Sequence, residues 1–303
     1  LDQLDIYAGT VLLILLLEAT RRTVGWAMVI IAGFFILQTA LSDHFFGIFY
    51  GPPSSWFTMI DYLFMRENGI YSIPLMVMAT YIFLFILFGA ILVRSGAGRF
   101  FINVALSLTG SKVGGPAKAS VVSSCLMASV SGSAVANVVT TGSFTIPLMK
   151  RIGYRDYFAG AVEACASSGG QIMPPVMGAA AFVIAEFLNL PYLQVAVAGI
   201  FPALIYFFSI FVMVHFEARK RNLSTISAAE LPNFKEEVKR GGHLFLSIAI
   251  IIVLLVIGYT PMFAAFWAII SILILSFLRP ETRMNPVDIL SALEEGARLA
   301  VSV

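Results

Sequence analysis

The chain has 303 residues, 59% of them hydrophobic and only 12% charged. A soluble domain carries about 25% charged residues, so this composition excludes one and points to an all-α polytopic membrane protein. A net charge of +2 gives no ground for a nucleic-acid partner, and the only two cysteines, Cys125 and Cys165, sit in apolar runs as buried thiols and imply no disulfide framework.

The chain opens at Leu1 inside an apolar run and stops at Val303 without a polar tail, which reads as an internal piece of a longer protein. Seven apolar passes are predicted: Leu4 to Leu17, Val24 to Leu41, Ser72 to Val93, Tyr157 to Ala185, Tyr192 to Phe216, Gly242 to Gly258 and Met262 to Leu278. Between the second and third lies an outer segment, Asp43 to Tyr71, whose Trp56, Tyr62 and Tyr71 suit the headgroup level. Phe100 to Thr109 reads as an interfacial helix, Glu217 to Arg240 as a charged loop, and the stretch from Asn285 as amphipathic. Residues 1–41, 42–113, 114–187 and 188–303 form four successive regions.

Between Lys118 and Lys150 run 31 uncharged residues, 16 of them Ser, Thr, Gly or Ala. That is too long for one pass and too short for two. It predicts a re-entrant helical hairpin that turns at the knot Ser131-Gly132-Ser133. With the hairpin returning to its own side, 18 of the 19 Lys and Arg fall on one face and only Arg66 on the other, the positive-inside pattern. Read as a single crossing, the stretch breaks this sorting at Lys150.

A helix interrupted at membrane depth offers carbonyls at one end and free N–H groups at the other. Irregular backbone at that depth survives only when buried in protein or lining an aqueous site. Ser131, Gly132, Ser133 and Asn137 at the knot, with Thr140 and Thr141 about one turn further along, are therefore candidate ligands for substrate or ion. The bland alternative is small residues that only let helices pack closely. The fourth pass carries Ser167-Ser168-Gly169-Gly170-Gln171-Ile172-Met173-Pro174-Pro175. Two prolines remove two backbone donors, which predicts a broken helix with Gly169, Gly170, Gln171, Pro174 and Pro175 at the break. Sodium, a hard cation, suits oxygen ligands at Ser131, Ser133 and Gly169. Glu163 is the one acid inside a pass, roughly 10 Å from Asp156; it reads either as a proton-coupling group or as the partner of Lys118. His44, His215 and His243 are scattered, so no metal centre or cofactor is expected beyond a coupling ion.

The stretch GGPAKASVVSSCLMASVSGSAVANVVTTGSFTIPLMKRIGYRDYFAGAVEACASSGGQIMPPVMGAAAF, Gly114 to Phe182, closely resembles the large membrane subunit of tripartite ATP-independent periplasmic (TRAP) transporters. The resemblance is to the fused permeases that work with TAXI-type binding proteins. It implies a secondary transporter of the bacterial or archaeal cytoplasmic membrane. Organic acids would arrive on a periplasmic substrate-binding protein, and an ion gradient, commonly sodium, would drive their import. It also implies an elevator-type carrier of two inverted repeats, of which this chain holds one, the remainder of the permease supplying the other half of the site. Residues 1–41 would be the end of a small-subunit-like region. The alternatives are a related carrier that works without a binding protein, an intramembrane hydrolase, for which no buried Asp or His accompanies the serines, and a non-transporting membrane scaffold.

Overall fold

The computed structural model describes residues 2–301, and among these residues it contains helices and no strands. It divides into two units, residues 2–76 and 77–301. In the first, α1 (Gln3–Thr23) and α2 (Trp26–Ala40) are joined by a tight turn at Gly25, whose φ is +102°. The Asp5 carboxylate accepts from the Asp2 N–H at the start of α1, and Glu18 pairs with Arg21 and Arg22 at its end. The outer segment is a series of short turns and a helical stretch, Trp56–Ile60, whose Trp56 indole donates to Thr10 Oγ1 over 3.0 Å. The boundary between the two units falls inside α3 (Ile73–Arg94).

The second unit is built around the uncharged stretch. After α4 (Ala97–Thr109), two helical arms follow, α5 (Gly115–Ser131) and α6 (Ala134–Arg151). They enter and leave at one end. A Cβ on Gly114, just before α5, would lie 2.7 Å from the Tyr154 hydroxyl, just after α6, and 2.8 Å from Ala218 Cβ. This is the geometry of a re-entrant hairpin. The fourth pass is broken as its prolines require, into α7 (Asp156–Gly169) and α8 (Ala179–Phe187). The long α9 (Tyr192–Lys220) backs the hairpin, with Phe207, Ile210 and Val214 packed on Ala117, Val121, Val162 and Ala166. Then come α10 (Phe234–Ile257), α11 (Pro261–Ser276) and the amphipathic α12 (Pro286–Val301). α12 lies along α3, with Gly296 against Leu87 and Arg94 paired with Asp288 at 3.0 Å.

Among the described residues four helices, α1, α3, α9 and α10, are long and apolar enough to cross a membrane, and α2, α4 and α11 are shorter apolar helices. The second unit combines a largely apolar interior that also holds polar groups with an apolar surface. Glu163, Ser120, Ser123 and Ser124 are fully buried, while Phe201 and Phe208 of α9 are 72% and 69% exposed. Such a surface is stable in lipid and costly in water. α4 is not confined to a surface: Phe100, Phe101, Ile102, Val104 and Ala105 are buried, and the helix packs on α5.

Two expectations need correction. Cys125 is half-buried and Cys165 exposed, because Cys165 lies on the face of α7 opposite Glu163 and Ala166. Glu163 does not pair with Lys118, whose ammonium meets His215 Nδ1 at 3.0 Å and stands 5.2 Å above the Phe211 ring, both residues of α9.

Candidate functional site

The tip of the hairpin is made by three residues. α5 ends at Ser131; Gly132 turns the chain at φ +64°; Ser133 opens α6 as its N-cap, with Oγ accepting from the Ala136 N–H over 3.3 Å. The break between α7 and α8 sits directly against this turn. A Cβ on Gly132 would lie 2.6 Å from the Met177 carbonyl oxygen. The Val176 N–H donates to the Ser129 carbonyl over 3.0 Å, and the Gly178 N–H to the Gln171 carbonyl over 2.7 Å, closing residues 171–178 into a loop. Tyr192 holds that loop from α9, its hydroxyl 2.9 Å from the Pro175 carbonyl.

Tip and loop enclose a cavity of about 210 Å³ whose polar wall is Ser131, Gly132, Ser133 and Gln171 and whose apolar wall includes Phe85 and Phe182. No charged side chain lines it. The positive potential available there is that of the α6 N-terminus, which presents its first N–H groups to the tip.

Deeper between the arms, Glu163 is enclosed by hydroxyls. Ser120 donates to Oε2 over 2.6 Å and Ser124 to Oε1 over 2.8 Å, both from α5; Thr141 and Thr145 donate to Oε1 and Oε2 from α6; Ser167, one turn along α7, lies 3.4 Å from Oε1. Gly142 makes the approach possible, since a Cβ there would stand 3.0 Å from Glu163 Cγ. No Lys, Arg or His pairs with this acid among the described residues. Asn137 stands between cage and tip: its N–H donates to the Ser133 carbonyl, and its Nδ2 donates to Ser167 Oγ over 2.8 Å.

The structure therefore sorts the expected site residues. Ser131, Gly132, Ser133 and Gln171 share one cavity wall. Gly170 abuts Ala128 in the last turn of α5 so closely that a Cβ would stand 1.8 Å from Ala128 Cβ. Gly169 faces Tyr206 and Phe207 of α9 instead. Pro174 and Pro175 shape the loop without lining the cavity. Thr140 faces Gly98 of α4, its hydroxyl bonded back to Ala136, and Thr141 belongs to the Glu163 cage. The sequence reading missed Ser120, Ser124, Thr145 and Ser167. Their signal was available as four-residue spacings, Ser120/Ser124, Asn137/Thr141/Thr145 and Glu163/Ser167, one polar stripe on each of three consecutive helices.

A re-entrant hairpin abutting an interrupted helix, with polar groups at their meeting point and a buried acid between the arms, is the arrangement of membrane carriers built from discontinuous helices. The family model described as "Tripartite ATP-independent periplasmic transporter, DctM component" matches residues 11–303, and the chain belongs to that family. Members of that family are transporter permeases and not enzymes, and the chain is accordingly a multi-pass integral membrane protein of the cytoplasmic membrane. It is similar to the isethionate TRAP transporter permease DctMQ of Oleidesulfovibrio alaskensis, 35% identical over 117 residues, 38% of this chain and 18% of that one. It is 29% identical over 147 residues, 48% of this chain and 34% of the relative, to the C4-dicarboxylate TRAP large permease DctM of Pseudomonas aeruginosa. The sialic acid TRAP large permease SiaM of Vibrio cholerae shares 28% over 164 residues, 54% of this chain and 37% of that one. The matched stretches thus cover only 18 to 37% of the length of these relatives.

Proposed function

We propose that the chain supplies one half of the transport site of a secondary carrier that imports organic acids on an ion gradient, with sodium the coupling ion. The observation that carries this reading is the cavity at the hairpin tip, polar on one wall yet without a charged side chain. An organic anion there has no Lys or Arg to meet; an N-terminal helix end and a co-bound cation would neutralise it. Ser131 and Ser133 offer oxygens of the hardness sodium prefers. The three relatives are named for isethionate, C4-dicarboxylates and sialic acid, all organic acids. A periplasmic substrate-binding protein, here of the TAXI type, would deliver the solute, and the remainder of the permease would complete the site.

One observation favours a second reading, proton coupling at Glu163. Thr141 Oγ1 also lies 2.8 Å from the Asn137 carbonyl, and Thr145 Oγ1 3.0 Å from the Thr141 carbonyl. Both hydroxyls can turn from the acid to these carbonyls, so the cage satisfies its hydrogen bonds with Glu163 charged or neutral. The discriminating experiment uses the intact permease in proteoliposomes with its binding protein and a panel of labelled organic acids. Uptake driven by an inward sodium gradient at equal pH supports the first reading. Uptake driven only by a pH gradient supports the second, and uptake with neither gradient overturns both.

A further inference from the structure

Neither Glu163 nor Asn137 lines the cavity at the tip, but a directed chain of hydrogen bonds runs from the acid through Ser167 to Asn137, whose N–H is bonded to the carbonyl of Ser133 in the cavity wall. A carboxylate can only accept. Ser167 Oγ, 3.4 Å from Glu163 Oε1, therefore turns its proton toward the acid and leaves lone-pair density facing the hairpin. Asn137 Nδ2 donates to that oxygen over 2.8 Å. The same nitrogen lies 3.4 Å from the Ser124 carbonyl oxygen, another group that only accepts. Both contacts require the amino end of the Asn137 amide. Its carbonyl Oδ1 is then turned to the opposite side, where it is buried and has no hydrogen-bond partner. The residue itself is 1% exposed, one helical turn from Ser133. A bare buried amide oxygen is costly to keep, and the partner that suits it without adding a donor is a small hard cation.

The geometry points to Glu163 and Ser167 as positioning residues: through Ser167 the acid fixes the direction of the Asn137 amide and so presents Oδ1 to a monovalent cation at the hairpin tip. This rests on the sodium reading above and adds to it why a fully buried acid with no cationic partner stands a helix away. An acceptor-only group is what sets the polarity of the chain; a serine or glutamine in its place could donate and leave the amide free to reverse.

The test needs no knowledge of the solute. The purified permease is melted at increasing sodium, with potassium replacing it at constant ionic strength. A ligand that binds only the folded state raises the midpoint according to its affinity. The sodium concentration that gives half the rise thus reports the site, and the midpoint in potassium reports the fold. Ser167→Ala is expected to raise that half-concentration about tenfold or more, and Ser167→Thr, which keeps the hydroxyl, to restore it. Glu163→Gln should move it in the same direction. Asn137→Ala should raise it too, and adding Ser167→Ala to Asn137→Ala should change nothing further, since residues that act in series are not additive. A Ser167→Ala or Glu163→Gln protein that melts lower in potassium but keeps its sodium half-concentration overturns the inference and leaves the sodium site standing. Effects that multiply in the double variant overturn it as well. If sodium fails to raise the midpoint of the parent protein at all, the sodium reading falls and takes the inference with it.

Discussion

Glu163 shows how a buried acid is accommodated in the second unit without an ion pair: hydrogen bonds from several hydroxyls stand in for water. Each donor carries part of that load. Thr145→Val, nearly isosteric, is expected to destabilise the solubilised permease by about 1.5–3 kcal/mol, read from its unfolding midpoint. Thr140→Val is the control: its hydroxyl only bonds back to the Ala136 carbonyl, and its loss should cost well under about 1 kcal/mol. A Thr140 variant as unstable as the Thr145 variant would mean that helix packing, not the cage, dominates. At the tip, Gly132 is the residue that admits no substitute. Alanine there meets both a left-handed φ of +64° and the Met177 carbonyl. The sequence made Gly132 legible through its serine neighbours, and Glu163 through its isolation in an apolar pass. The partners of Glu163 were hidden because Ser and Thr at four-residue spacing also suit close helix packing, so only the arrangement of three helices around one point separates the two.

Among elements, the hairpin and the broken helix were the most legible, for reasons of chemistry. Thirty-one uncharged residues cannot be a single span, and Pro174-Pro175 cannot sit inside a straight helix. The sequence could not tell which face of each element met which neighbour. Thr140 and Thr141 are adjacent, yet one faces α4 and the other the cage; Gly169 and Gly170 likewise face α9 and α5. Gly170 sets the distance between broken helix and hairpin. Gly170→Ala should force the loop 171–178 away from the tip, and thiol–thiol cross-linking between cysteines placed at Ser133 and Val176, with Cys125 and Cys165 replaced, would measure it. Cross-linking that drops against the glycine parent is expected; an unchanged yield would contradict the close fit. α12 is anchored differently. The Asn285 N–H and then the Arg94 guanidinium hold the Asp288 carboxyl below its ordinary 3.8. For a depressed carboxylate the stabilisation is fully present above the ordinary value and is lost as pH falls through the lowered one. Asp288→Asn should therefore speed amide exchange in α12 at pH 7, and the parent should come to match it only in acid, once pH has fallen through the lowered value. A difference that persisted in acid would assign the anchoring to packing, as at Gly296, in place of charge.

For the whole molecule, the distribution of charge carries more than its total. Sorting Lys and Arg by side required a hairpin that returns, and Gly114, Tyr154 and Ala218 do meet at one end of the second unit. The family supplies what the fold does not: the chain belongs to the DctM component of tripartite ATP-independent periplasmic transporters. On the proposed function, the Ser131-Gly132-Ser133 tip lines a water-accessible site sensitive to the coupling ion. In the full permease, with Cys125 and Cys165 replaced, the Ser133→Cys variant is treated with a water-soluble thiol reagent in sodium and in potassium, beside a control cysteine in an exposed loop. Labelling in potassium that sodium slows is the predicted result. Labelling equally fast in both salts, or blocked in both while the control reacts, would contradict it.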